Sequence, residues 1–201
     1  RTEMSPAFRE EMEALKLICI KHNLYLFSDE AYREFCYPPE GGRGDGDHVS
    51  AMHLKGLEEH VVLMDTISKR YSACGARLGA FVTKNKAVYD AAMKFAQARL
   101  SPPGLAQIMG ESAVDLPASY FDAPKAEYLS RRNLLVSRLN AMPGVYCPNP
   151  GGAFYAMASL PIDDCDRFCQ WLLEEFSYNG QTVMLAPATG FYGTAGLGKN
   201  E

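Results

Sequence analysis

Two short apolar segments, each followed within a few residues by a polar side chain, constrain this chain more than any other feature. Residues 24–27 precede Asp29, and the strand-like residues 61–66 precede Lys69. Short apolar runs bounded by polar residues are typical of buried strands. In open α/β sheets, ligands collect at the carboxyl ends of the strands. The sequence therefore predicts an α/β fold with a ligand site where these two strands end.

Helical patterns alternate with the predicted strands. Ser5 and Pro6 are typical of the N-cap and the first position of a helix. Apolar residues at helical spacing from Phe8 onwards predict that this helix ends at His22. A boundary between two domains is predicted near residue 125, inside a long helix. The other predicted elements are a short helix at 50–57, a strand at 78–83, helices at 86–99, 105–115, 122–140 and 163–176, and strands at 145–146, 153–157 and 182–185.

Composition and charge exclude several classes of protein. The formal net charge of −4 gives no electrostatic basis for nucleic-acid binding. No apolar run reaches the roughly 18 residues that a membrane span needs, and the first residues lack the apolar core of a signal peptide. The six cysteines form no Cys-x-x-Cys pair, so we expect free thiols in a reducing cytoplasm and no metal site. The four histidines, at 22, 48, 53 and 60, have no evident partners in the sequence and are interpreted as surface or core residues.

The residues around Lys69 suit a cofactor that carries an aldehyde and a phosphate. A lysine amine in its neutral form attacks a carbonyl carbon. The hydroxyls of Thr66 and Ser68 and the planar guanidinium of Arg77 can hold a phosphate. A lysine next to an arginine is ordinarily a solvated surface charge, but the Ser-Lys pair followed by Gly-x-Arg-x-Gly favours a functional role. Asp29 and Tyr32, three residues apart at a strand end, can hold the far side of a cofactor ring.

Three motifs in a fixed order carry a resemblance to a known family. They are Asp-x-x-Tyr at 29–32, Ser-Lys at 68–69 with an arginine eight residues after the lysine, and Gly-Gly-x-Phe-Tyr at 151–155. In this combination the chain resembles the class I/II aminotransferases, which are pyridoxal-5′-phosphate (PLP) enzymes of fold type I. The resemblance covers nearly the whole chain, and the aspartate aminotransferase-like branch is the most similar.

The resemblance implies a fold and a set of site residues. Residues 1–125 would form the C-terminal part of the large PLP-binding domain, with its mostly parallel sheet, and residues 126–201 an incomplete small α+β domain. The catalytic residues would be Lys69, which holds PLP as an imine and moves a proton, Asp29, which faces the pyridine nitrogen, and Tyr32, which binds the phenolic oxygen. Further implied roles are phosphate binding by Thr66, Ser68 and Arg77, close approach of the backbone to the cofactor at Gly75 and Gly79, and shaping of the substrate side of the site by residues 151–155.

The implied function is transfer of an amino group between an amino acid and a 2-oxo acid. The resemblance also implies a cytoplasmic homodimer, with residues 101–104 at its interface. Two alternatives remain open, namely another PLP activity of this fold, such as a β-lyase or a cyclopropane-forming synthase, and a non-catalytic folded fragment. Family members carry an Asn-Pro-x-Gly motif, a glycine-rich phosphate loop and a ring-stacking aromatic before the matched region, and a carboxylate-binding arginine after it. We therefore expect this chain to be an internal piece of an aminotransferase and inactive by itself.

Overall fold

The computed structural model describes residues 9–37 and 48–201, and it divides into two compact units. Among the described residues, the first unit holds 9–37, 48–128 and Gly151–Ala153, and the second holds Leu129–Pro150 and Phe154–Glu201. The change of unit falls inside one long helix. The assignment of two domains with a boundary at residue 125 stays a prediction. The predicted helix start at Ser5 and Pro6 lies outside the described residues.

A three-stranded mixed sheet forms the centre of the first unit. Its strands are β1 (Leu26–Asp29), β2 (Val61–Thr66) and β3 (Gly79–Thr83), in the order β1-β2-β3. The β1 and β2 strands are parallel, whereas β2 and β3 are antiparallel. Because β1 and β2 run in the same direction, their carboxyl ends lie side by side, as the sequence predicts.

The first strand begins two residues later than predicted, and the end of the preceding helix explains the shift. Helix α1 covers Arg9–His22. Asn23 then adopts a left-handed conformation with φ of 51°, and the Leu24 amide still donates to the Cys19 carbonyl at 2.9 Å. Left-handed closure of this kind satisfies the last helical carbonyls. The backbone of Leu24 therefore belongs to the helix end, and pairing with β2 starts only at Leu26.

The core of the first unit lies between α1, the sheet and the segment before β2. The predicted helix at 50–57 is reduced to a single 3₁₀ turn, Ala51–His53, started by a hydrogen bond from the Met52 amide to the Ser50 hydroxyl at 3.3 Å. Leu54 leaves the helical conformation with ψ of 95°. This irregular path buries the side chains of Ala51, Leu54 and Leu57. The buried cluster consists of Met12, Cys19, Ala51, Leu54, Leu57 and Val61.

The predicted helices at 86–99, 105–115 and 122–140 form within one residue of the predicted ends, whereas the four-residue helix at Ile67–Arg70 was not predicted. Asn85 caps the helix Lys86–Arg99, because its side-chain oxygen accepts from the Val88 amide at 3.0 Å. Among the described residues, none of the helices is long and apolar enough to cross a membrane. The helices that follow β2 are α2 (Ile67–Arg70), α3 (Lys86–Arg99), α4 (Gly104–Val114) and α5 (Asp122–Asn140), with 3₁₀ turns at Cys74–Ala76 and Ala118–Phe121.

The second unit contains α6 (Cys165–Glu174) and a 3₁₀ turn at Thr189–Phe191, but the strands predicted for it do not form. In its described residues, strand-like pairing is limited to the isolated bridges Tyr146–Ser159 and Tyr178–Gln181. The predicted strands at 153–157 and 182–185 are therefore wrong. The Thr182 hydroxyl donates to the Leu172 carbonyl at the end of α6, so this segment follows the helix instead of a neighbouring strand.

Candidate active site

The first candidate residues lie where β1 ends. Asp29 is the last residue of this strand and pairs with Met64 of β2. Its Oδ1 accepts a hydrogen bond from the Ala31 amide at 3.2 Å, which stabilises the turn that leads to Tyr32. Asp29 is exposed and Tyr32 is half-buried. The strand end thus presents a carboxylate and a phenol to the same neighbourhood.

Lys69 lies next to this turn, at the end of the adjacent strand. It is half-buried in α2, and its Nζ lies 5.9 Å from the centroid of the Tyr32 ring. An ammonium at this distance from an aromatic face is attracted by the ring quadrupole. Two residues that the sequence separates by 37 positions therefore meet at the carboxyl ends of β1 and β2.

The two hydroxyls predicted to bind phosphate contact each other. The oxygens of Thr66 and Ser68 lie 2.8 Å apart. Thr66 is the N-cap of α2, because its Oγ1 accepts from the Ser68 amide at 3.1 Å, and it also lies 3.0 Å from the Leu78 carbonyl oxygen. The Thr66 hydroxyl is thus already engaged in hydrogen bonds with the backbone around it. Ser68 is the better placed of the two for an added anion.

Arg77, the third predicted phosphate ligand, lies in a left-handed conformation with φ of 53° after the 3₁₀ turn. Its side chain is exposed, and Nη1 donates to the Cys74 carbonyl at 3.0 Å. The guanidinium is therefore folded back on its own loop, and its role in phosphate binding stays a prediction. A non-glycine residue in the left-handed region is uncommon and often marks a functional turn.

A buried carboxylate next to Asp29 was not identified from the sequence. Glu30 is 3% exposed, and its oxygens accept from the Ala51 amide at 2.9 Å and the Ser50 hydroxyl at 3.0 Å and lie 2.7 Å from His48 Nε2. Burial raises the pKa of Glu30, but the hydrogen bonds from His48 and Ala51 outweigh burial and hold this pKa below its ordinary value. These partners lie 18 to 21 residues away, so no local signal reveals them.

Four charged residues around the same two turns were also not identified. Arg70 Nη2 lies 2.7 Å and 2.8 Å from the two carboxylate oxygens of Asp65. Arg33 Nη1 lies 3.2 Å from Asp65 Oδ2, and Arg33 Nε lies 3.3 Å from Glu34 Oε1. Arg70 Nε approaches the same Glu34 oxygen at 3.8 Å. Asp65 and Arg70 flank Lys69 in sequence, which is the only local hint of their position.

The glycine pair of the third motif contacts the segment that follows Tyr32. Gly152 pairs with Cys36 in an isolated bridge, and the Ala153 amide donates to the Phe35 carbonyl at 2.8 Å. The Tyr37 hydroxyl in turn donates to the Ala153 carbonyl at 2.8 Å. The observed contacts of Gly151–Ala153 therefore hold the backbone beyond the candidate site, and a role in substrate shape stays a prediction.

Comparison with known proteins identifies the family. A family model described as aminotransferase class I and II matches residues 7–185. The aspartate aminotransferase of Bacillus subtilis (strain 168) is 30% identical over 191 residues, which is 90% of this chain and 46% of the relative. The chain thus spans about half the length of the relatives it matches.

Solved structures agree with this assignment. An aspartate aminotransferase from Thermotoga maritima is 26% identical with a TM-score of 0.72, and the match covers 85% of this chain and 42% of that one. An aromatic aminotransferase from Pyrococcus horikoshii OT3 is 27% identical with a TM-score of 0.74, and the match covers 85% and 45%. These similarities confirm the predicted fold type I, whose aminotransferases depend on PLP. The chain belongs to the class I and II aminotransferase family.

Proposed function

We propose that the whole protein is a PLP-dependent aminotransferase that moves an amino group between an amino acid and a 2-oxo acid. The observation that carries this proposal is the position of Lys69, whose Nζ lies 5.9 Å from the Tyr32 ring centroid. Asp29 ends the strand beside it. An amine, a phenol and a carboxylate from two neighbouring strand ends supply the side-chain chemistry that amino-group transfer requires.

The donor set fits the cofactor. PLP, when bound, supplies an aldehyde that accepts the amino group and a ring that accommodates the electron pair left at the substrate carbon. Lys69 has the amine that such an aldehyde binds, and Asp29 has a carboxylate that suits a protonated ring nitrogen. The Ser68 hydroxyl and the exposed Arg77 guanidinium suit the phosphate.

The roles of the protein side chains follow from their chemistry. The Lys69 amine would take the proton from the substrate Cα and deliver it to the former aldehyde carbon of the cofactor, as a general acid–base group does. The carboxylate of Asp29 keeps a proton on the ring nitrogen, because a negative charge favours the protonated form of a nearby base. The Tyr32 hydroxyl would donate a hydrogen bond to the phenolic oxygen of the cofactor, and the centroid of its ring lies 5.9 Å from Lys69 Nζ.

The direct test is substitution of the lysine in the whole protein. Lys69→Ala should abolish amino transfer, whereas Lys94→Ala, which changes an exposed residue of α3, should leave it unchanged. Borohydride reduction of the PLP-loaded protein, followed by peptide mapping, should place the covalent label on Lys69. A label on another lysine would refute the assignment. Release of ammonia and a 2-oxo acid without an acceptor would indicate a lyase instead.

Assembly and location are parts of the same proposal. The residues on either side of 101–104 support the proposed homodimer interface, because Leu100 and Leu105 are 73% and 84% exposed. Burial of these side chains in an interface would remove apolar surface from water, which favours association. Leu105→Glu should lower the mass of the whole protein in light scattering towards that of a monomer, whereas Leu173→Glu on α6 should not. We also propose a cytoplasmic location, to be checked by cell fractionation.

A further inference from the structure

The pair formed by Asp65 and Arg70 is largely removed from solvent. Their side chains are 17% and 9% exposed. Charges with so little exposure are screened much less by salt than surface pairs are. Arg70 Nε is itself buried and has no hydrogen-bond partner among the described residues, and Glu34 Oε1 lies 3.8 Å from it. The hydrogen-bonded contacts of the Arg70 guanidinium are therefore with Asp65, and the centroid of the Tyr71 ring lies 5.8 Å from its Cζ.

The contact between Asp65 and Arg70 holds the C-terminal end of α2, the short helix that carries Lys69. Helix α2 has four residues, which is far too few for a helix to be stable without external contacts. Its first turn is held by the Thr66 cap, and its last residue is Arg70. Because Lys69 immediately precedes Arg70, the contact between Arg70 and Asp65 fixes the backbone from which the Lys69 side chain extends.

The same carboxylate also holds the other turn. Arg33 Nη1 lies 3.2 Å from Asp65 Oδ2, and Arg33 directly follows Tyr32. Asp65 thus contacts one arginine next to Lys69 and another next to Tyr32. A change in either contact would alter the separation between the lysine amine and the tyrosine ring.

We propose that Arg70 is a positioning residue that, through Asp65, holds the Lys69 amine against Tyr32. The inference rests on the proposed function, because its effect on rate presupposes amino transfer by Lys69. A displacement of about 1 Å at a reacting group can lower a rate by about a hundredfold. Arginine suits this role because its planar guanidinium reaches Asp65 and Glu34 together, which a lysine ammonium does not reproduce.

Arg70→Lys in the whole protein tests the proposal, because it keeps the positive charge and removes the planar group. We expect kcat for amino transfer to fall by about tenfold or more, with the KM for the amino acid changed by less than about threefold. Arg138→Lys, an exposed conservative change on α5, should leave both constants unchanged.

A second readout does not depend on the reaction. In cofactor-free protein, the time profile of Lys69 acetylation by acetic anhydride at a fixed pH, measured by peptide mapping relative to that of Lys94, should change in rate by about twofold or more in Arg70→Lys. A profile that superimposes on that of the wild-type protein would overturn the proposal. If the wild-type protein transfers no amino group but the profile still changes, the proposed function fails and the positioning contact stands.

Asp65→Asn provides the matching change on the other side of the contact. If the two residues act as one unit, the double variant should be no more than about twofold slower than the slower single variant, because such effects are not additive. Fully multiplicative effects would contradict the proposal. Should Arg70→Lys fail to fold, the acetylation profile of Asp65→Asn decides the question by the same criterion.

Discussion

At the scale of single residues, the candidate site consists of exposed chemical groups placed next to buried polar ones. Asp29 is exposed, whereas its neighbour Glu30 is buried and hydrogen-bonded. Lys69 is half-buried, whereas Arg70 is nearly inaccessible. Hydrogen bonds between buried polar groups restrict the local backbone. In each pair, the buried residue can fix the backbone from which its exposed neighbour acts.

Glu30 provides a stability prediction with a defined pH dependence. Glu30→Gln should lower the free energy of unfolding at neutral pH by about 2 kcal/mol, because hydrogen bonds to a buried charge are lost. Although burial raises the pKa of Glu30, its hydrogen bonds lower it overall, so folding favours the ionised form. The contribution of ionised Glu30 to the free energy of unfolding is therefore complete above the ordinary glutamate pKa. This contribution disappears as the pH falls through the lower pKa that Glu30 has in the folded protein.

Urea unfolding between about pH 7 and about pH 3, a range that brackets the ordinary glutamate pKa, measures this effect. The difference between wild-type and Glu30→Gln protein should shrink towards acid pH. Glu59→Gln, which changes an exposed carboxyl shortly before β2, serves as the control. A difference that stays constant over this range would show that ionisation of Glu30 contributes nothing to folding.

At the scale of elements, the sequence predicts those parts whose signals are local. The strand Val61–Thr66 and the helices Lys86–Arg99 and Asp122–Asn140 form at the predicted residues, because apolar spacing and end residues lie within each segment. The strands at 153–157 and 182–185 fail because a strand needs a ladder from a distant segment, which short apolar runs cannot specify.

The same distinction applies to the candidate site. The motifs predict Asp29, Tyr32 and Lys69, and the structure brings these three to adjacent strand ends. The contact between Arg33 and Asp65 joins residues 32 positions apart, and no motif encodes it. The side chains that carry chemistry are thus recognisable from sequence, whereas those that hold them depend on the completed fold.

Two glycines in the loop region after Lys69 give a prediction at this scale. Close approach of the backbone to the cofactor stays a prediction for both. Within the protein, a Cβ at Gly79 would lie 2.7 Å from the Asp65 carbonyl oxygen, whereas a Cβ at Gly75 would meet no atom of the described residues within 4 Å. Gly79→Ala should therefore destabilise the pairing of β2 with β3, by about 1–3 kcal/mol.

Gly75→Ala should be neutral or stabilising by up to about 1 kcal/mol, because alanine restricts the unfolded chain. Thermal unfolding of both variants provides the measurement. Equal melting temperatures for the two variants would show that the close approach at Gly79 is relieved without cost.

At the scale of the whole molecule, one face of the sheet is left uncovered by the described residues. Asp29, Met64 and Phe81 are paired across the three strands, and Phe27 lies two residues before Asp29, so all four project from the same face. Phe27, Met64 and Phe81 are 60%, 37% and 44% exposed. A contiguous apolar surface of this kind favours association. The face of the sheet that carries Asp29 is therefore also the face through which association with another molecule is favoured.

The 201-residue chain produced by itself should consequently self-associate through this face. Within the described residues, the outer edges of β1 and β3 also have no strand neighbour, and unpaired edge strands invite pairing with other chains. Phe27→Asp should lower the average mass in light scattering by roughly half or more at equal concentration, because a buried charge opposes burial of the face. Leu134→Asp, at a residue that is likewise 60% exposed but lies on α5, should leave the mass unchanged.

Since association would cover Asp29, the chain by itself should also show no amino transfer in a coupled assay. A monomer at all concentrations that transfers amino groups would contradict both expectations, because it would require the apolar face to be stable in water with its carboxylate accessible.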